Sequence, residues 1–324
     1  MKKIVVAMVM FVFVSIIAMP SAVAFLWNSE EGQAVPAQGV IIEGEEKPWI
    51  GGVAAGTQDT AVFQNEGDFE DYIKGVVAAE VPALFHEEAL KAQAVAARTY
   101  AVRYMEENQL EEIPYEIYQE YETREELKEK WGSNYEAYYQ KISDAVDATK
   151  GEIMVYQDEP ILAVFHSTSA GKTENAENVW SQSLDYLKSV DSPQDENAPN
   201  FITETAIPAK TVLMKLQEAH SDLIVTEEEL IRQMQIIDRT EAGYIKNIQI
   251  GNKVITGREM RELLGLLSSN FTLRQEGDSI VFTTKGYGHG AGMSQYGANF
   301  MAEDGCDYEE ILKHYYHGIE IVKR

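Results

Sequence analysis

Cysteine is almost absent: Cys306 is the single one among 324 residues. No internal disulfide can form, and a multi-cysteine zinc or iron–sulfur site is excluded. Basic residues are scarce as well. The 27 Lys and Arg face 53 Asp and Glu, a formal net charge of −26, so the chain is no nucleic-acid binder, because tracking phosphates needs a basic surface. No internal repeat of about 20–50 residues is visible, which argues against solenoids and propellers. What is present is enough apolar residue, 45% with 17 Tyr, 11 Phe and four Trp, to exclude wholesale disorder.

Lys2 and Lys3 precede an uncharged stretch from Ile4 to Ser29 that is long enough to span a bilayer. The small-x-small pattern Ala22-Val23-Ala24 after Pro20 fits a cleaved signal peptide equally well. Either way the rest of the chain is exported. Residues 28–62 lack periodicity and read as an extended linker. From about residue 63 the pattern predicts one α+β domain, a single large mixed unit with helices around small sheets. Helices are expected from 68 to Pro82, from Glu87 to Glu107, and in one or two solvated segments between 106 and 150. A hairpin of 152–156 with 160–166 follows, then helices near 208–219, 226–235 and 256–267 and strands near 244–250 and 279–284. Two helices follow a glycine-rich loop near the end.

Four constellations carry chemistry. Glu80 lies +3 from Val77, +4 from Val76 and +7 from Ile73, which places it on the apolar stripe of its helix. A carboxylate desolvated there has a raised pKa, as a general acid near neutral pH requires. A last-turn Glu pointing into solvent is the plainer alternative. Arg98, flanked by Ala94 and Ala101 on one helix face, sits where the chain packs and needs a partner. That partner is Glu80, a ligand oxygen, or a structural salt bridge. The segment 165–173 (FHSTSAGKT) concentrates His166, Ser167, Ser169 and Lys172. It fails as a phosphate loop, because His166 stands where the first glycine is needed. It is weak as a metal site, because no second His or Cys lies at ligand spacing and nothing points to the nearby Asp and Glu as ligands. A sugar-binding loop or an ordinary polar turn remain. Finally, GYGHGAGMSQYG holds His289 among alternating glycines, with Ser294 as a helix N-cap and Gln295 and Tyr296 behind it. Such a loop presents His289 to a cleft. No metal and no cofactor is expected.

Taken in order, YIKGVVAAEVP, EALKAQAVAARTYAV, FHSTSAGKTENAENVW and GYGHGAGMSQYGANFMAEDG resemble the stage II sporulation protein D family of endospore formers. The resemblance covers most of the chain from about residue 63. It implies a lytic transglycosylase that cleaves the N-acetylmuramic acid–N-acetylglucosamine bond of peptidoglycan during forespore engulfment, leaving 1,6-anhydro ends. The family's catalytic V-A-x-E-x-P glutamate falls on Glu80. Arg98, the 166–172 loop and the 289–296 loop would then hold the sugars, and Arg98→Lys would weaken activity. The resemblance also favours a retained membrane anchor over residues 1–27, with the domain outside the cytoplasm. The family's cysteine zinc site has no counterpart here. Stage II sporulation proteins P and M are the implied partners. The alternative from another class is a non-catalytic glycan-binding activator of a wall amidase.

Overall fold

The structure, a computed structural model, describes residues 66–110, 117, 119–180 and 182–324. The expected anchor and linker lie outside them. No helix among the described residues is long and apolar enough to cross a membrane.

The fold is α+β, with helices around four small sheets among the described residues. Helix α1 (Glu66–Glu80) buries Ile73, Val76 and Val77 completely, each contributing about 1.5–3 kcal/mol on removal from water. Pro82 ends it. Helix α2 (Glu87–Glu107) is buried from Ala89 to Ala101 except at Lys91, and its alanines let neighbours approach closely. It packs against α1, against α4 (Tyr135–Ala148) and against strand β1 (Glu152–Tyr156). Helix α3 (Arg124–Trp131) precedes α4 and starts on a capping box formed by Thr123 and Glu126.

The expected hairpin is split. Strand β2 (Glu159–Pro160) pairs with β1, but β3 (Phe165–His166) pairs in parallel with β4 (Met293–Ser294), which adjoins the glycine-rich loop. Gly292 makes that pairing possible. Its φ is +73°, and a Cβ there would stand 2.0 Å from the Val164 carbonyl oxygen. Gly292→Ala is therefore expected to destabilise the protein by at least about 1–3 kcal/mol, the usual cost of local backbone strain. Thermal melting against the parent protein measures this.

Helix α5 (Ala176–Trp180) follows β3. Between it and the glycine-rich loop lies a second core, formed by Leu216, Ile248, Met260, Phe271 and Phe282 among others. It is built from strands β5 (Ile202–Pro208), β6 (Met234–Arg239), β7 (Ile245–Ile250), β8 (Lys253–Thr256), β9 (Phe271–Glu276) and β10 (Ser279–Lys285). Helices α6 (Ala209–Ala219) and α7 (Gly257–Leu264) complete it. The helix expected over 226–235 is absent. A short 3-10 turn at Ile231–Gln233 leads into β6 instead, because Met234 and Ile236 face this core at strand spacing. The chain closes with α8 (Gln295–Glu303), α9 (Tyr308–Tyr315) and β11 (Glu320–Lys323), which pairs with β1.

Candidate active site

Glu80 ends α1 and is 2% exposed. Its Oε1 accepts a hydrogen bond from the backbone N–H of Glu120 at 3.0 Å. Its Oε2 is buried and has no hydrogen-bond partner among the described residues. Loss of water pushes the Glu80 carboxyl up to about 8, and the nearby Glu120 charge adds to this. The Glu120 N–H and the Gln295 amide pull the other way. Gln295 lies against the carboxyl without making a bond of normal geometry to it. Its Nε2 reaches Gln93 Oε1 at 3.4 Å, and Gln93 Nε2 is unpartnered. The result is a carboxylic acid that keeps its proton at neutral pH with one oxygen uncommitted, which is the state a general acid needs.

The parallel pairing of β3 with β4 brings the other candidate residues to this point. Tyr296 N donates to the Ser167 carbonyl at 3.0 Å. The Tyr296 ring stands edge-on to Phe85, with centroids 5.0 Å apart. Gln295 thus lies against the acid, with Tyr296 next to it in the chain and tied to Ser167.

A family model for stage II sporulation proteins matches residues 57–156. The chain is 43% identical over 259 residues to stage II sporulation protein D of Bacillus subtilis (strain 168), covering 78% of this chain and 74% of that one. This chain belongs to the stage II sporulation protein D family. The Bacillus amyloliquefaciens protein of the same name is also 43% identical, over 78% of this chain and 73% of its own. An amidase enhancer of Bacillus subtilis (strain 168) is 29% identical over 76% of this chain and 39% of its own length.

In this stage II sporulation protein D family member several expected sugar contacts serve the scaffold instead. Arg98 is 1% exposed and does not touch Glu80. Its Nε and Nη2 grip Glu70 at 3.0 and 2.7 Å, and Nη1 and Nη2 donate to the carbonyls of Glu152 and Val146. Its fork is spent inside the protein, which corrects the reading of Arg98 as a substrate contact. Ser294 Oγ donates to Asp195 Oδ1 at 3.0 Å and caps α8 by accepting from Gly297 N. Ser169 N donates to Asp195 Oδ2 at 2.7 Å, and its Oγ accepts from Gly171 N. Both serines tie loops to a buried aspartate rather than face a ligand. Burial pushes Asp195 up to about 6 against these hydrogen bonds. Lys172 reaches Asp191 at 4.0 Å.

The two histidines also depart from expectation. His166 is buried, and its Nδ1 lies 3.0 Å from the Ala291 carbonyl, so Nδ1 carries the proton. His289 Nδ1 accepts from Ala291 N at 3.1 Å. Its ring packs between Trp180 (4.9 Å) and His166 (5.6 Å) instead of standing open in a cleft. Burial lowers His166 to about 4 and His289 well below its ordinary value. Both stay neutral at pH 7. Their Nε2 atoms and Glu174 Oε2 are buried and make no hydrogen bond of normal geometry among the described residues, although the Phe165 backbone acts on His289, and no group of three His, Cys, Asp or Glu among the described residues is arranged to hold a metal ion.

Sequence reasoning missed Glu70, Asp195 and Glu120. Glu70 stood one heptad and a half before Glu80 with nothing to mark it. Asp195 lay between the expected hairpin and the helix near 208–219, where no element was expected. Glu120 had a faint signal: Gly75 interrupts an otherwise good helix former run, and a mid-helix glycine often marks a close backbone approach.

Proposed function

We propose that this protein is a lytic transglycosylase acting on peptidoglycan glycan strands during forespore engulfment, with Glu80 as its acid and base. The observation that carries this reading is the buried Glu80 carboxyl, protonated near neutral pH, with Oε2 unbonded. A conventional glycosidase needs two carboxylates with separate tasks. Here the muramoyl 6-hydroxyl replaces the second one. Glu80 gives its proton to the glycosidic oxygen as the C1–O4 bond breaks. The 6-hydroxyl oxygen attacks the same C1 to close the anhydro ring, and its proton returns to Glu80. Ring closure within one sugar gains from proximity, and one group serves both proton transfers. Ser167, Gln295 and Tyr296 supply the neighbouring polar and aromatic contacts for the sugars. We place the domain, residues 63–324, outside the cytoplasm on an N-terminal anchor, beside stage II sporulation proteins P and M.

The amidase enhancer relative supports a second reading, a glycan-binding activator without its own chemistry. Incubation with purified glycan strands separates the two: release of anhydro-muramic ends by this protein alone supports catalysis, and no release in the absence of an amidase supports activation.

The raised pKa has two consequences. Activity is expected to fall above about pH 8 as Glu80 loses its proton. Stability follows the same ionisation. A carboxyl whose folded pKa lies above its unfolded value of 4.5 binds more protons folded than unfolded between pH 4.5 and about 8. Its stability contribution is complete below pH 4.5 and is lost as pH rises through 8. Glu80→Gln lacks this term. The variant is expected to melt increasingly above the parent as pH rises from 5 to 8.5, by on the order of a few kcal/mol. A difference in melting temperature that does not change with pH would contradict the desolvated acid.

A further inference from the structure

Residues 119–123 form a strap laid across α1, tied at every position the structure describes. The Gln119 side chain accepts from Tyr72 Oη at 3.2 Å and donates to the Ala97 carbonyl at 3.1 Å. Tyr121 stacks on Tyr72, with centroids 5.5 Å apart and planes at 16°. Glu122 N donates to the Gly75 carbonyl at 3.4 Å, and the Glu122 carboxylate holds Lys130. Thr123 caps α3. In the middle is the Glu120 N–H, the one hydrogen bond that Glu80 accepts with normal geometry among the described residues.

The seat for this strap is Gly75. A Cβ there would stand 2.3 Å from a Tyr121 ring carbon and 2.8 Å from the Glu122 carbonyl oxygen. Glycine in a helix interior costs about 1 kcal/mol relative to Ala, and no positive φ is recorded at Gly75, so backbone conformation does not demand it. Close approach does.

We propose that the 119–123 strap, seated on Gly75, is the positioning element of the active site. It clamps Oε1 of Glu80 through the Glu120 amide, seals that side from water, and leaves Oε2 as the atom that exchanges the proton. The inference rests on the reading of Glu80 as the acid. Gln295 also lies against the carboxyl and shares one long contact with Gln93, whose Nε2 has no partner among the described residues. The groups facing Glu80 are Tyr72 from its own helix, Glu120 from the strap and Gln295 from α8, with Gln93 from α2 in contact with Gln295, and both glutamines are neutral amides. Of the influences on Glu80, burial is the largest and the Glu120 hydrogen bond opposes it. Lifting the strap removes that hydrogen bond together with the Glu120 charge and part of the burial, both of which raise the pKa, so the Glu80 pKa is expected to fall toward the ordinary carboxylate range.

The test is a carbon-13 carboxyl titration of Glu80 in the free protein, assigned with Glu80→Gln. Gly75→Ala and, independently, Tyr121→Ala are expected to lower the pKa of Glu80 by about one unit or more. Tyr121→Phe, which keeps the ring stack, restores the parent titration. Tyr121 is 42% exposed, so its truncation leaves a folded protein even where Gly75→Ala does not. An unchanged Glu80 titration in folded Tyr121→Ala overturns the proposal and leaves the strap a purely structural feature. Because no substrate is present, that outcome leaves the proposed reaction standing. Failure to make anhydro ends, conversely, leaves the strap result intact.

Discussion

Glu80→Gln is expected to abolish glycan cleavage while leaving the protein folded. Gln has the size and shape of the protonated Glu that the burial of this site favours, so the packing of Ile73, Val76 and Val77 survives. Its carbonyl still accepts from Glu120 N, where Oε1 does now. It cannot give a proton to the glycosidic oxygen or take one from the 6-hydroxyl. Loss of positioned general acid–base catalysis typically costs about 10²–10⁴-fold. Among the described residues the carboxylate that influences Glu80 is Glu120, whose backbone N–H, not its side chain, holds Glu80 and whose side chain is exposed. It is poorly placed to replace the buried acid. A folded variant that retains more than about a tenth of the parent rate, outside that range, would remove Glu80 from the chemistry.

The second large effect is on stability. Arg98→Met keeps the unbranched apolar stem of the side chain but strips Glu70 of its bidentate partner. Glu70 is itself buried, and the N–H of Gly151 at 3.2 Å is its remaining hydrogen bond to the backbone. Breaking one partner out of a buried pair costs about 3–5 kcal/mol. In a chain of this size that is a fall in melting temperature of roughly 6–20 °C. Combining Arg98→Met with Glu70→Leu is expected to recover most of the loss, because the uncompensated charge is gone. The folded fraction of Arg98→Met should cleave glycan normally. An unchanged melting temperature with lost activity would return Arg98 to the substrate.

Arg98 also shows where reading the sequence stops. Its place on a packed helix face was legible from Ala94 and Ala101, and so was its need for a partner. The identity of the partner was not, since Glu70 lies 28 residues earlier on another helix and no local periodicity links the two. Glu80 was legible because its own helix carries the information: three apolar residues at +3, +4 and +7 spacing fix its direction. The glycine-rich loop was recognised as tight, but its histidine was assigned to a cleft. Whether His289 faces solvent or Trp180 depends on the parallel pairing of Met293–Ser294 with Phe165–His166, a contact between segments more than 120 residues apart. The same cause hid strands Lys253–Thr256, Phe271–Glu276 and Glu320–Lys323. Short strands are specified by their partners more than by their own residues. The 226–235 segment shows the converse: its acidic, leucine-bearing sequence favours a helix locally, and tertiary contacts of Met234 with the second core prevail.

The most direct measurement is the chemical nature of the ends released from purified, peptide-free glycan strands by the protein alone, read by mass spectrometry. The account predicts muramoyl ends one water lighter than a hydrolytic product, formed by the parent protein and absent with Glu80→Gln. Reducing ends, which mean that water and a second carboxylate do the work of the 6-hydroxyl, would contradict it, and so would anhydro ends released equally by Glu80→Gln.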